Sequence, residues 1–200
     1  MNPAMIGGAL LVSYLIGSVD FAVVVARMHG VDIHQVGSGN PGTSNVMRTL
    51  GRGPAVMVFV GDALKGVIAA AIGTLLLADG DPISLWTFAA GLAAVAGHCY
   101  PIYHRFKGGK GVATGCGVLA FSMPLVALIL TVVWVLLARL TRVASIASLV
   151  VVVLALPLAY WQGVRGGALA IMTAILALVT FRHSGNISRI LRRTEERVTP

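Results

Sequence analysis

Long apolar runs dominate this sequence and restrict what it can fold into. Short polar segments separate the runs, and 57% of the residues are hydrophobic while 11% are charged. A chain of this composition lacks the polar surface that a water-soluble domain needs. The hydrocarbon core of a bilayer, roughly 30 Å thick, takes about 20 apolar residues for each helical crossing. We therefore predict an all-α, polytopic integral membrane protein in which residues 1–200 form a single domain.

A proline determines how many helices we expect. Val112–Ala138 has the composition of one long helix, but Arg139 and Arg142 would then lie across the membrane from the other basic segments. Proline disrupts a helix interior, so we predict a break at Met123-Pro124 and two short helices. The predicted transmembrane helices then number seven: Met5–Ala26, Pro54–Leu77, Ile83–Ala96, the two halves of Val112–Ala138, Ala144–Tyr160 and Gly166–Phe181.

The basic residues predict the orientation. The formal charge is +8, and Lys and Arg gather in the segment from Arg27 to Gly53, in the central loop His98–Gly111 and in the tail after Phe181. The segment Ala78–Pro82 carries only acidic charge. Cytoplasmic loops are enriched in Lys and Arg. We therefore expect the N-terminus outside, the C-terminus in the cytoplasm, and all the basic loops on the cytoplasmic face.

The central loop contains the segment FKGGKGVAT, which sets two lysines among glycines. Glycine lets a backbone approach an anion and turn its N–H groups inward, and a following helix adds its N-terminus. The segment departs from the nucleotide-binding P-loop because Gly111 stands where Ser or Thr would contact Mg²⁺. Two interpretations remain: a loop that binds a small anion, or a turn whose Lys107 and Lys110 anchor a membrane helix.

A second glycine-rich segment, GSGNPGTSNVMR, spans Gly37 to Arg48. Its GxGxxG pattern is not a dinucleotide-binding fingerprint, because no strand precedes it and no βαβ unit fits in this chain. As a polar loop it offers neutral hydrogen-bonding groups beside Arg48 that suit phosphate or a polyol. The alternative is an ordinary turn between helices. The neutral groups are Ser38, Asn40, Thr43, Ser44 and Asn45.

Polar residues also occur inside and just after apolar runs. Asp62 and Lys65 lie within the second run, where charge is costly unless it is paired. Their spacing lets them meet on a helix, so we expect a structural ion pair near the site, with catalysis as the alternative. His183, Asn186 and Arg189 fall on one face if the last helix continues into the tail. This group is a candidate for ligand binding or proton transfer.

Several signatures do not occur in the sequence. No histidine is followed by aspartate in the HxxxxD pattern of acyltransferases that use soluble donors, and there is no GxSxG elbow. Cys99 and Cys116 have no metal-ligand spacing around them, and no aspartate-rich metal signature is present. We therefore predict a reaction that uses positive charge and positioning, with no metal, no cofactor and no acyl-enzyme.

Three motifs resemble those of the bacterial acyl-phosphate:glycerol-3-phosphate acyltransferases. They are GSGNPGTSNVMR, GHCYPIYHRFKGGKGVAT and HSGNISR followed by Glu195, and the likeness begins at YLIGS, Tyr14–Ser18. The resemblance implies a seven-helix enzyme of the bacterial inner membrane with its active site at the cytoplasmic face. It also implies the first step of phospholipid synthesis: transfer of a fatty acyl group from acyl phosphate to the sn-1 hydroxyl of glycerol 3-phosphate, giving lysophosphatidic acid and phosphate.

The resemblance and the loop interpretations together give a candidate site. We expect catalytic roles for Arg48, Lys107, His183 and Asn186, with either His183 or the substrate's own phosphate as the base; the role of Glu195 stays open. Expected partners are glycerol 3-phosphate, acyl phosphate and membrane lipids, with no nucleic acid; the sequence allows no protein partner to be inferred. The expected substrate-binding residues are Ser38, Gly39, Asn40, Asn45, Arg48, Lys107, Gly108, Gly109, Lys110, Gly111, Thr114, Ser145, His183 and Asn186.

Two other classes of protein stay open. A transporter of phosphate-bearing solutes would use the same basic loops, but transporters often have internal repeats and midplane binding groups, and neither is visible here. A membrane anchor that recruits a partner leaves the neutral Ser, Asn and Thr groups of the first motif unexplained.

Overall fold

The structure, a computed structural model, describes residues 2–197 and contains only helices and connecting segments in that range. The all-α prediction is therefore confirmed. A short 3₁₀ turn at Ile102–His104 lies between the fifth and sixth helices. The α-helices are α1 (Pro3–Gly17), α2 (Phe21–Met28), α3 (Thr43–Leu50), α4 (Arg52–Leu77), α5 (Leu85–Cys99), α6 (Val112–Ser122), α7 (Pro124–Thr141), α8 (Ala144–Trp161), α9 (Gly166–Arg182) and α10 (Ser184–Leu191).

Five segments of the described chain are long and apolar enough to cross a membrane: α1 with α2, α4, α5 with the 3₁₀ turn, α7 and α8. Helices α9 and α10 meet at 54° and make a sixth if the bent pair is one span. Helix α6 has 11 residues, a length of about 16 Å, roughly half of the hydrocarbon core. The polytopic membrane protein is confirmed, while seven crossings and the sidedness stay predictions.

The predicted break at Met123-Pro124 is confirmed. Helix α6 ends at Ser122, Met123 adopts φ −144° and ψ 71°, and Pro124 opens α7. A proline at this first helical position loses no hydrogen bond, because its N–H would have had no partner inside the helix. The proline therefore ends one helix and begins the next.

The predicted N-terminal crossing Met5–Ala26 lies within the candidate span Pro3–Met28, but the prediction of one unbroken helix is wrong, because the chain is interrupted between α1 and α2. The Asp20 side chain caps α2 by accepting a hydrogen bond from the Val23 N–H at 3.1 Å. The carbonyl of Val19, left without a helical partner, accepts one from Lys65 Nζ at 2.8 Å. In an apolar environment each freed backbone group needs such a partner.

Helix α4 lies at the centre of the bundle and contacts α1, α2, α3, α5 and α6. Glycines permit these close approaches. An added Cβ at Gly66 would collide with the Thr114 carbonyl of α6, and one at Gly117 would collide with the Ala63 carbonyl of α4. Small residues let membrane helices approach backbone to backbone. The contact between α4 and α6 therefore fixes where the central loop enters the bundle.

A buried ion cluster joins α4 to α5. Asp62 Oδ1 lies 2.8 Å from Lys65 Nζ, and the two side chains are 1% and 2% exposed. The predicted pair is therefore confirmed. His98 Nδ1 of α5 lies 3.5 Å from the same carboxylate oxygen. Charge inside an apolar bundle is stable only when it is paired in this way.

Candidate active site

A cavity of ≈ 410 Å³ is lined by residues of α3 to α10. The lining of the cavity changes from polar to apolar along α8 and along α9. On α8 it passes from Ser145 to Val151 and Ala155, and on α9 from Val179 to Met172. Ten helical residues rise about 15 Å. The cavity therefore has a polar end at the helix termini and an apolar end deep in the bundle.

The first glycine-rich segment forms one wall of the polar end. Sequence analysis predicted a loop there, but Thr43 begins α3, so the segment is half loop and half helix. Ser38, Asn40 and Arg48 line the cavity. Gly37 has φ +56°, and a Cβ there would collide with the Asn45 amide. The turn therefore requires glycine.

Asn45 shapes that loop from the inside. Its buried amide accepts from the Ser38 N–H at 2.9 Å and donates to the Val36 carbonyl at 3.0 Å and the Ile33 carbonyl at 3.3 Å. These hydrogen bonds use both the oxygen and the nitrogen of the side-chain amide. Asn45 borders the cavity, but its contacts are those of a residue that positions Ser38.

The central loop is clamped between two helix ends. The Gly109 N–H donates to the His98 carbonyl at 3.1 Å. Arg182, at the end of α9, donates from Nη2 to the Gly108 carbonyl at 2.7 Å and from Nε to the Gly109 carbonyl at 3.0 Å. Gly111, with φ +87°, turns the chain into α6. Sequence analysis did not identify Arg182 as the residue that holds this loop.

The two lysines of the loop point to different places. Lys110 and Gly111 line the cavity, whereas Lys107 lines a second cavity described below. Burial lowers the pKa of Lys110 to about 8, against the attraction of Glu195 and with added repulsion from nearby arginines. Lys110 is therefore a partly buried cation at the polar end. The structure does not bring Lys107 to it.

Some other predicted residues also lie away from the cavity wall. Thr114 is fully buried in the contact between α6 and α4. Gly108 and Gly109 are buried in the clamp just described. Gly39, with φ +67°, belongs to the turn before α3. These four residues support the backbone behind the cavity wall. The predicted residues whose side chains line the cavity are Ser38, Asn40, Asn45, Arg48, Lys110, Ser145, His183 and Asn186.

His183 sits in the bend between α9 and α10 and is 2% exposed. Its Nδ1 lies 2.7 Å from the Val179 carbonyl. A carbonyl only accepts hydrogen bonds, so Nδ1 carries the proton and Nε2 remains as the acceptor nitrogen. His183, Asn186 and Arg189 all line the cavity, which confirms that they share one face.

The tail after α10 places two carboxylates at the polar end. Glu195 accepts from Ser145 Oγ at 2.8 Å, from Asn186 Nδ2, and from Arg189 Nε at 2.8 Å. Burial raises its pKa, but these hydrogen bonds outweigh burial and hold the pKa below the ordinary value. Glu196 Oε2 lies 2.7 Å from Arg48 Nη1. Donors from α3, α8 and α10 thus already converge on anionic oxygens.

Comparison with known proteins gives consistent matches. The family model described as Glycerol-3-phosphate acyltransferase matches residues 8–193. A glycerol-3-phosphate acyltransferase of Halalkalibacterium halodurans is 43% identical over 198 residues, covering 96% of this chain and 95% of that protein. Another, of Rhizobium meliloti, is 38% identical over 190 residues, covering 94% and 90%.

Solved structures match the whole fold. A crystal structure of PlsY, an integral membrane glycerol 3-phosphate acyltransferase in its glycerol 3-phosphate form, has a TM-score of 0.90 and 39% identity, covering 97% of this chain and 96% of that chain. Its lysophosphatidic acid form has a TM-score of 0.88 and 39% identity, covering 96% and 94%.

Proposed function

We propose, from the premise that this chain belongs to the glycerol-3-phosphate acyltransferase family, that acyl phosphate is its acyl donor. The reaction is transfer of the fatty acyl group to the sn-1 hydroxyl of glycerol 3-phosphate. It gives lysophosphatidic acid and phosphate. We further propose that the protein resides in the bacterial inner membrane with the polar end of its cavity toward the cytoplasm, because the basic residues gather at that end.

The observation that carries the proposal is the two-part cavity. Its polar end holds Arg48, Lys110 and a set of neutral donors, and its other end is lined by apolar side chains of α8 and α9. Both proposed substrates bear phosphate, and one of them also bears a long acyl chain. A polar end that takes phosphate, joined to an apolar end that takes an acyl chain, accommodates both groups in one cavity. The glycerol 3-phosphate and lysophosphatidic acid forms of the similar structures support it.

Acyl phosphate fits the loops better than acyl-CoA does. A nucleotide or a carrier protein needs an extended recognition surface, and the segments around the cavity are short and rich in glycine. The head of acyl phosphate is one small anion that Lys110 and Arg48 can neutralise. Its acyl chain then lies along the apolar end of the cavity, where it stays out of water.

The chemical step is direct attack. The sn-1 oxygen forms a bond to the acyl carbonyl carbon, and the bond from that carbon to the phosphate oxygen breaks. The proton of the hydroxyl passes to a base, either His183 Nε2 or a substrate phosphate oxygen. Lys110 and Arg48 stabilise the negative charge that grows on the departing phosphate. Holding both substrates in one cavity replaces a rare encounter with an intramolecular one.

Lys107 enters this proposal differently from Lys110. It begins the loop that ends at Lys110 but lines the second cavity, so its part in binding substrate phosphate stays a prediction. Asn186 and Ser145 both donate to Glu195. We propose that these donors reach the acceptor substrate once its phosphate occupies the polar end.

The donor is tested with purified protein and labelled glycerol 3-phosphate. We expect lysophosphatidic acid on thin-layer chromatography with palmitoyl phosphate and none with palmitoyl-CoA. Turnover should need no added metal, and free phosphate should inhibit it by competing for the polar end. Transfer from palmitoyl-CoA at a comparable rate, or abolition of turnover by a chelator, would contradict the proposal.

A further inference from the structure

A second cavity, of ≈ 590 Å³, lies between the segment that follows α2 and the turn that follows α5. It shares no lining residue with the substrate cavity. The ends of α2 and α5 both carry basic residues, so the second cavity lies at the basic end of the bundle. The Arg, Lys, His and Asp residues of its lining are Arg27, Asp32, His34, His104, Arg105 and Lys107.

Among the residues that the structure describes, no salt bridge pairs the cations of this cavity, since none includes Arg27, Arg105 or Lys107. Asp32 is the one carboxylate in the described lining, against these three cations. Its oxygens accept hydrogen bonds from the His34 N–H at 3.0 Å and from Gln35 Nε2 at 2.9 Å. Like charges held around one space repel each other. A bound anion would remove that repulsion.

The turn that carries Arg105 is held in an unusual conformation. Arg105 and Phe106 have φ values of +53° and +61°, a region that residues with a Cβ rarely adopt. Hydrogen bonds from the Phe106 N–H to the Pro101 carbonyl at 2.9 Å and from the Lys107 N–H to the His104 carbonyl at 3.1 Å hold the turn. Strained backbone of this kind is retained mainly at functional positions.

The same turn exposes a group of apolar side chains beside the cations. Tyr103 and Phe106 are each 57% exposed, and Ile102 is 49% exposed. On α2, next to Arg27, Met28 is 70% exposed. Aromatic side chains of membrane proteins concentrate at the level of the lipid headgroups. We therefore expect the cations of the second cavity to lie at the depth of the lipid phosphates.

We infer that the second cavity binds the phosphodiester headgroup of an anionic phospholipid from the adjacent leaflet. Arg27 and Arg105 pair with the phosphodiester through planar guanidinium groups, and the acyl chains lie outside, along Met28 and Tyr103. Basic pockets between membrane helices bind anionic headgroups in this way. Because Lys107 begins the loop that ends at Lys110, such a lipid also orders the loop beside the substrate cavity. This inference does not depend on the identity of the acyl donor.

The test compares two double variants of the full chain in a neutral detergent. Arg27→Gln with Arg105→Gln removes two cations of the cavity, whereas Arg139→Gln with Arg142→Gln removes two exposed arginines elsewhere. Dihexanoyl phosphatidylglycerol is titrated while the melting temperature is followed by tryptophan fluorescence. We expect it to stabilise the unsubstituted protein and the control. In the cavity variant the half-effective concentration should rise about 30-fold.

Three outcomes would overturn the inference. An equal rise in the Arg139 and Arg142 control would mean that general charge attracts the lipid. Equal stabilisation by dihexanoyl phosphatidylcholine would mean that the headgroup charge is not recognised. Stabilisation by inorganic phosphate that is lost only in the Arg27 and Arg105 variant would assign the cavity to a free anion. Equal melting temperatures without lipid show that both double variants are folded, and turnover with palmitoyl phosphate in detergent tests the substrate site separately.

Discussion

Lys110 makes the proposed reaction sensitive to alkaline pH. Its burial in the cavity wall lowers its pKa to about 8, and the repulsion of Arg189, Arg182 and Arg48 acts in the same direction. A lysine with a lowered pKa loses its charge when the pH rises through that value. The free enzyme should therefore lose one of its phosphate-binding cations as the pH rises above 8.

The size of the effect follows from that pKa. About nine-tenths of Lys110 is charged at pH 7 and about one-tenth at pH 9. If only the charged form binds phosphate, kcat/KM falls roughly tenfold between these values. The substrate phosphate, with a second pKa near 6, is a dianion at both pH values and does not contribute. Bound phosphate stabilises the lysine charge, so kcat should fall much less than kcat/KM.

The assay measures initial rates of lysophosphatidic acid formation from pH 6.5 to 9.5, with blanks for chemical hydrolysis of the donor. Lys110→Arg is the informative variant, because a guanidinium stays charged throughout this range. We expect a lower rate in this variant but no decline between pH 7 and pH 9. A flat profile in the unsubstituted protein, or the same decline in Lys110→Arg, would refute the assignment of the decline to Lys110.

Three further predictions concern the loop, the tail and the topology. Gly109→Ala should lower kcat/KM at least tenfold, because the added Cβ would collide with the His98 imidazole and displace Lys110. Glu195→Ala should destabilise the protein by about 2 kcal/mol, because it leaves buried donors unpaired. The measurement is the melting temperature, which should fall. Glu196 is half-exposed and has one partner, so Glu196→Ala should change the melting temperature little. In a cysteine-free background, Arg139→Cys in the last turn of α7 and Arg165→Cys just before α9 are separated by α8 and should react with an impermeant thiol reagent from opposite sides. Labelling of both from one side would reject the seven-helix topology.

Local features of the sequence predicted much of the fold. The apolar runs located the main helices because a membrane span is decided by the composition of a single segment. Pro124 located the break after α6, since proline acts on the backbone of its own turn. Asp62 and Lys65 could be paired because a helix fixes their separation. Each of these predictions depended on residues close together in the chain.

The features that sequence analysis missed depend on contacts between distant segments. The break between α1 and α2 has a signal in Asp20, but it also needs Lys65 of α4 to satisfy the Val19 carbonyl. Similarly, Lys107 and Lys110 look equivalent in the motif, yet their side chains line different cavities. Arg182 holds the Gly108 and Gly109 carbonyls that lie between them. Arg182 itself had no local signal beyond its charge.

The shortness of α6 has a consequence for the membrane around the protein. A helix of 11 residues covers only part of the hydrocarbon thickness, and a bilayer responds to such mismatch by thinning locally. We therefore expect the water boundary beside α6 to lie closer to the bilayer centre, nearer the apolar end of the cavity. A water-soluble acceptor and a donor with its chain in hydrocarbon can then meet without either leaving its preferred medium. Thicker bilayers should oppose this arrangement and slow the enzyme.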